Sequence, residues 1–181
     1  MKHLIKFLII GAAIMLISVL AASTIFAQGG EGGIVIAPNQ GDDVATMNPI
    51  LANDTASGFV INRIFPDIIN PDPATGVYMP GTPGSLATDW TISDDGLVYT
   101  FTLRDDMFWT DGTPVTSADY LYAFRAVESG LTSSPRGSVL DFIASVEAPD
   151  PQTVVITFNT PACNNIDNID DFGILPAHLF Q

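Results

Sequence analysis

Four pairs of adjacent aspartates are the residues in this sequence whose type and spacing most readily suggest chemistry. They are Asp42 and Asp43, Asp94 and Asp95, Asp105 and Asp106, and Asp170 and Asp171. Two carboxylates held close together can act as acid and base or can bind calcium. Adjacent residues on a strand point to opposite faces, however, and residues 167–171 lack the glycine and the distal glutamate of a calcium loop. The pairs therefore indicate solvated turns.

Nucleophiles and metal ligands are sparse. Cys163 is the single cysteine, and the two histidines, His3 and His178, lie at opposite ends of the sequence. A transition metal needs a cluster of nitrogen and sulfur ligands, and one cysteine cannot form an internal disulfide. The sequence also contains no serine nucleophile elbow and no phosphate-binding loop. It thus predicts no catalytic residue, no metal and no cofactor, and it argues against an enzyme.

The charge balance excludes classes of partner. Twenty acidic residues face six lysines and arginines, which gives a formal net charge of −14 at pH 7. A field of this sign repels nucleic acid and anionic lipid, so we expect neither as a partner. The acidic residues are typical of a solvated surface.

The first residues have the order of a secretory signal. Lys2 and Lys6 precede an uncharged apolar run at 7–20, and small residues follow it. Cleavage is expected among residues 21–23 or after Ala27. Residues 7–27 are also about long enough to cross a bilayer, so an uncleaved N-terminal anchor stays open. Residues 28–33, QGGEGG, form a flexible tether, and we expect the remainder to lie in the periplasm or at the outer face of the cell membrane.

The elements that must position any site are a mixture of strands and helices. Patterns of apolar spacing, turn residues and caps predict strands at 34–37, 77–80, 97–104, 145–148 and 153–158, with helices at 55–65 and 117–129. The first helix, which Asp54 or Thr55 can cap, has its apolar positions at Ala56, Phe59, Val60 and Ile64. The second helix, which Thr116 can cap, has them at Tyr120, Phe124 and Val127. The run before residue 97 supplies a further strand that pairs with 97–104 in a hairpin. This order predicts an α+β (mixed α/β) fold rather than a regular parallel repeat.

Four segments, in order, resemble one known family. The stretch LATDWTISDDGLVYTFTLRDDMFWTDGTPVTSADYLYAFR at 86–125 is similar to the family 5 extracellular solute-binding proteins of ABC importers, which collect oligopeptides, dipeptides and nickel complexes. Residues 46–76 resemble the early loop and first helix of that family, 145–162 its later hairpin, and 173–180 its next landmark. Several landmarks in the right order make the resemblance specific.

The resemblance implies a bilobed protein that closes on a solute and delivers it to a membrane permease. Members run to several hundred residues, so residues 34–181 resemble the N-terminal part of such a protein: a partial periplasmic-binding-protein-like lobe with a β-rich subdomain. Full-length relatives imply a monomer. Within the subdomain, the resemblance assigns the core to Trp90, Tyr99, Phe101 and Trp109, and it assigns turns to residues 95–96 and 111–112.

Candidate binding residues also follow from the resemblance. In relatives, the loop before the first helix and the start of that helix edge the cleft, which corresponds to Asn53, Asp54 and Thr55. These residues equally suit helix capping, and a helix N-terminus offers free amides to an anionic group. The stretch corresponding to 133–137 holds a cleft-facing residue in oligopeptide-binding relatives. Arg136 could there reach a peptide carboxylate, although a surface arginine beside an acidic neighbour is the alternative.

The predicted function is therefore capture of an oligopeptide or other small solute for an ABC permease. An anchored surface sensor or adhesion module on the same scaffold is the alternative. Permease and ATPase genes beside this one would favour import, whereas a kinase or cell-wall gene would favour the alternative.

Overall fold

The computed structural model describes residues 43–169 and 172–180. The predicted signal or anchor at 1–27, the tether at 28–33 and the strand at 34–37 lie outside these residues, as do Asp42, Asp170 and Asp171. In the described part of the chain, no helix combines the length and the apolar character needed to span a bilayer.

Two α-helices form where caps and spacing predict them. Helix α1 spans Thr55–Ile64 and ends before Pro66, whose ring cannot continue a helix. Helix α2 spans Ser117–Glu128 and is followed by Gly130 at φ +66°, a left-handed conformation that glycine adopts at little cost. The buried side chains of α2 include the predicted Tyr120, Phe124 and Val127.

The apolar face predicted for α1 is only partly buried. The buried residues of this helix are Ala56, Ser57 and Ile61, whereas Ile64 is 54 % exposed. Of the expected stripe through Ala56, Phe59, Val60 and Ile64, only Ala56 is buried, so the buried face is displaced around the helix. A serine occupies the buried stripe because its hydroxyl has a structural role, described below.

Four antiparallel strands form one sheet. They are β1 Ala87–Ile92, β2 Val98–Leu103, β3 Ile143–Asp150 and β4 Thr153–Phe158, in the spatial order β1-β2-β4-β3. Both predicted hairpins, β1–β2 and β3–β4, are thus present, and β2 pairs with β4 between them. Three short 3₁₀ helices complete the described elements: Pro135–Asp141, Asn165–Asn168 and Ala177–Leu179.

One face of the sheet builds the core against α2. Alternate residues of β2 and β4 are buried, as the period of two in a half-buried strand requires, and α2 contacts β3 and β4. The chain after β4 returns to this core, since Phe172 meets the rings of Tyr120 and Phe124 edge-on at centroid distances of 6.4 and 5.4 Å. The Tyr120 hydroxyl donates to the Ile169 carbonyl at 2.6 Å.

Asp119 joins three segments at the start of α2. Its Oδ2 accepts hydrogen bonds from the Thr116 amide at 2.8 Å and the Trp109 indole at 3.3 Å. Its Oδ1 accepts from the Ala177 amide at 2.8 Å. The residue is only 4 % exposed, so a buried carboxylate is stabilised here by three donors.

Two expectations about the β-rich part were wrong. Residues 77–80 form no strand; Tyr78 forms an isolated β-bridge with Pro71. Tyr99 and Phe101 are buried in the core as predicted, but Trp90 and Trp109 are only partly buried and pack against its edge. An indole is large and carries a polar N–H, which in Trp109 reaches the Asp119 carboxylate instead of an apolar interior.

Candidate functional site

A tight turn precedes helix α1. The amides of Leu51 and Ala52 both donate to the Asn48 carbonyl at 3.1 Å, and the Ile50 amide donates to the Asn48 side-chain oxygen at 3.1 Å. Residues 49–52 are hereafter called the 49–52 turn. It leads directly into Asn53 and the N-terminus of α1.

The first turn of α1 is capped by Asp54. Its Oδ1 accepts from the Ser57 amide at 2.8 Å. Hydrogen bonds from Ser57, first from its side chain and then from its backbone, lower the pKa of the Asp54 carboxyl, so this group is ionised at neutral pH. The capping role foreseen for Asp54 is confirmed. Asn53 and Thr55, on either side of it, are exposed.

The buried Ser57 holds the chain that leads to the turn. Its Oγ accepts hydrogen bonds from the amides of Ala45 and Thr46, each at 3.1 Å. Sequence reasoning missed this residue. Its signal was a polar side chain next to Ala56 in a short amphipathic helix, and the two backbone N–H groups that its hydroxyl satisfies explain why an apolar residue does not stand there.

A second segment, distant in sequence, is clamped onto the 49–52 turn. The Ser134 hydroxyl donates to the Ile50 carbonyl at 2.5 Å. Arg136 donates from Nε to the Pro49 carbonyl at 3.0 Å and from a terminal guanidinium nitrogen to the Ala52 carbonyl at 3.4 Å. Three backbone carbonyls of one turn therefore accept hydrogen bonds from side chains at 134 and 136.

Asn53 and Arg136 line a common cavity of about 300 Å³. Its other lining residues are Ala52, Pro135, Ser138 and Val139. Of the four residues predicted for binding, the structure thus brings two to one wall. Asp54 and Thr55 follow in the chain but do not line this cavity. We name the cavity and the adjoining N-terminus of α1 the candidate site.

Two larger concavities lie elsewhere. One, of about 570 Å³, includes Arg104 and Asp106, whose charges are paired with each other through a hydrogen bond of 2.9 Å between Nη2 and Oδ2. The other, of about 320 Å³, lies between the end of α1 and residues 107–110 and includes Trp109. Neither contains a residue of the 49–52 turn, so size alone does not identify the candidate site.

The acidic pairs in the described residues occupy turns. Asp95 Oδ1 accepts from the Ser93 hydroxyl and the Leu97 amide at 2.5 and 3.1 Å, which closes the β1–β2 turn at Gly96. Asp105 and Asp106 are exposed beyond the end of β2. The prediction of solvated turns is confirmed for these pairs. Among the residues described, no cluster of three or more histidine, cysteine or acidic side chains is arranged to hold a metal ion.

Asp111 links the turn at 110–113 to the 3₁₀ helix at Ala177–Leu179. Its Oδ1 accepts from the Thr113 amide at 2.9 Å, and its Oδ2 lies 2.7 Å from His178 Nε2. The hydrogen bond from the Thr113 backbone is the largest cause that lowers the pKa of Asp111 to about 2, and the contact with His178 follows.

Acidification should destabilise the fold through Asp111. Because its folded-state pKa lies below the ordinary value of 3.8, its contribution is fully present above about pH 4 and is lost as the pH falls toward 2. We expect the melting temperature to fall between pH 5 and pH 2.5, and to fall less in Asp111→Asn. Thermal unfolding followed by circular dichroism measures both. An equal decline in the variant and the parent protein would contradict this assignment.

The family model described as bacterial extracellular solute-binding proteins, family 5 middle, matches residues 82–181. This stretch covers more than half of the chain and includes the whole four-stranded sheet together with α2.

Curated relatives extend the similarity. A protein of Brucella ovis is named as an ABC transporter peptide-binding protein. It is 32 % identical to this chain over 181 residues, which cover 98 % of this chain and 32 % of the relative. The oligopeptide-binding protein of Bacillus subtilis is 35 % identical over 104 residues, or 57 % of this chain and 18 % of the relative. The chain thus spans about a third of the length of the Brucella relative.

Solved structures show the same fold. A periplasmic oligopeptide-binding protein of Borrelia burgdorferi superposes with a TM-score of 0.66 at 31 % identity, over 78 % of this chain and 31 % of that one. The murein tripeptide-binding protein of Escherichia coli superposes with a TM-score of 0.65 at 28 % identity, over 76 % of this chain and 30 % of that one.

These superpositions confirm the predicted α+β, partial periplasmic-binding-protein-like lobe. With the family match over 82–181 and four landmarks in order, they place the sequence without ambiguity: the chain belongs to the family 5 bacterial extracellular solute-binding proteins.

Proposed function

We propose that this chain is part of the extracytoplasmic solute-binding component of an ABC importer, which captures peptides or similar small solutes. The match of residues 82–181 to the family 5 solute-binding proteins is the observation that carries the proposal. Relatives named as peptide-binding or oligopeptide-binding proteins support a peptide as the solute. No finding on the described residues favours the sensor or adhesion alternative.

The location and organisation that accompany this function are part of the proposal. Residues 1–27 act as a signal peptide or N-terminal anchor, residues 28–33 as a tether, and residues 34–181 as the N-terminal part of a bilobed binding domain. The protein works as a monomer outside the cytoplasm and passes its solute to a permease in the membrane. The Borrelia burgdorferi structure is that of a protein described as periplasmic, which supports this location.

The solute-binding wall in this lobe is the candidate site. Asn53 and Thr55 are exposed at the start of α1, and the free amides of a helix N-terminus with its partial positive charge suit an anionic or carbonyl group of the solute. Asp54 keeps this helix start ordered through its cap. At least one of the residues at 53–55 contacts the solute directly.

Native purification followed by mass spectrometry tests the proposal. We expect the intact protein, isolated under mild conditions, to carry peptides or other small solutes that appear after denaturation. Asn53→Ala should reduce the amount recovered, whereas Glu147→Ala, which changes an exposed residue of β3, should not. If the unaltered protein releases no small molecule, while a control peptide added to the same sample is detected, this result would count against solute capture.

A further inference from the structure

The contacts of Arg136 separate two roles that this residue could have in the candidate site. An arginine on a cavity wall can pair with an anionic solute, or it can hold the wall in place. In this structure its guanidinium donates to the carbonyls of Pro49 and Ala52, which are 87 and 84 residues away in the sequence.

The geometry suits a brace between segments. The planar guanidinium presents several N–H donors in a fixed fork, so one side chain can engage two carbonyls of the same turn. Ser134 adds a third hydrogen bond, to the Ile50 carbonyl between them. Pro49 and Ile50 are buried, which makes unpaired carbonyls in this turn costly.

The braced turn leads directly into the predicted binding residues. Ala52 is itself part of the cavity wall, and Asn53 is the next residue. A shift of the 49–52 turn would therefore move Asn53 and the first turn of α1. A displacement of about 1 Å in a positioning contact is enough to lower the affinity or rate at a site substantially.

We propose that Arg136 is a positioning residue, which braces the 49–52 turn and thereby fixes Asn53 at the wall of the candidate site. It acts on solute affinity through this turn and not through an ion pair with the solute. The part that concerns affinity rests on the proposed function. The part that concerns the turn does not.

Hydrogen exchange of the intact protein without added solute tests the brace. In Arg136→Gln, the amides of Leu51 and Ala52 should exchange at least about tenfold faster, because the turn that protects them loses two hydrogen bonds. Arg136→Lys should do the same, since an ammonium point charge does not reproduce the fork. In both Arg136 variants, the exchange rate of the Phe101 amide in β2 should not change. In the control variant Arg125→Gln, which replaces an exposed arginine paired with Glu128, the exchange rates of the Leu51 and Ala52 amides should not change. Unchanged exchange at residues 51 and 52 in both Arg136 variants would overturn the proposal.

Calorimetry with two probes tests the effect on affinity. Tri-alanine and its C-terminal amide differ only in the carboxylate that an ion pair would recognise. A positioning role predicts that Arg136→Gln weakens both by the same factor, so that the ratio of their affinities stays constant. Selective loss of affinity for tri-alanine, with the amide unaffected, would show an ion pair and overturn the proposal.

Hydrogen exchange and calorimetry together distinguish failure of the proposed brace from failure of the proposed solute capture. If neither probe binds the unaltered protein, capture of tripeptides is contradicted, while hydrogen exchange still decides whether Arg136 braces the turn. If both probes bind but exchange at residues 51 and 52 is unaffected, solute capture stands and the brace does not.

Discussion

Replacing Asp119 by alanine should lower the free energy of unfolding by about 3 kcal/mol or more, because the change leaves three buried or half-buried donors without their acceptor. The carboxylate accepts from Thr116, Trp109 and Ala177, and these donors come from the start of α2, from the 107–115 loop and from the C-terminal segment. Each unsatisfied donor retains the cost of its removal from water. Urea denaturation followed by tryptophan fluorescence measures the change.

Two matched variants define this expectation. Asp119→Asn keeps one acceptor oxygen, which can still serve Ala177, but its NH₂ group then faces other donors; we expect a smaller loss than with alanine. Glu128→Ala removes a carboxylate of the same helix that makes only an exposed pair with Arg125, and it should change stability by less than about 0.5 kcal/mol. Equal effects of Asp119→Ala and Glu128→Ala would show that the buried hydrogen bonds contribute little.

The sequence predicted the parts of this fold that depend on local chemistry. The caps at Asp54 and Thr116 and the glycine turns at 96 and 112 lie within a few residues of the elements they bound, so their signals can be read along the chain. The alternation in β2 was readable for the same reason: one face of that strand is buried and the other is not.

The contacts that join distant segments could not be read in this way. Within the Asp119 network, only the partner at Thr116 lies inside a recognisable capping pattern, whereas Ala177 is 58 residues away. The same limit applies to α1, because apolar spacing gives a possible buried face but not which neighbours cover it. Ile64 fits the predicted stripe and is nevertheless 54 % exposed.

The candidate site combines features that were predicted from the sequence with contacts that were not. Resemblance to a family selected Asn53 and Arg136, and the structure places them on one cavity wall. Neither the resemblance nor the spacing predicted that Arg136 would donate to the carbonyls of the 49–52 turn. A guanidinium has a charge that is visible in the sequence, but the acceptors that it finds depend on the tertiary fold.

Phe101→Ala should destabilise the protein by about 3–5 kcal/mol, because it removes a fully buried ring from a central strand. Phe101 has no exposed surface, lies opposite Trp90 on β1 and Val154 on β4, and contacts the rings of Trp90 and Tyr99 at centroid distances of 6.1 and 6.5 Å. The sheet is continuous across β2, so a cavity at this position weakens packing on both sides of the strand.

The chain offers a control with the same chemical change. Phe108 is 57 % exposed, and Phe108→Ala removes the same atoms without opening a buried cavity; we expect a loss below about 1 kcal/mol. The difference between the two variants in urea denaturation therefore reports the cost of the cavity rather than the loss of a phenylalanine. Similar losses would mean that the sheet relaxes into the space left by Phe101, or that Phe108 is covered in the intact protein. Hydrogen exchange at Tyr99 and Val154 distinguishes these explanations, because relaxation at Phe101 alters protection in β2 and β4 whereas a contact at Phe108 does not.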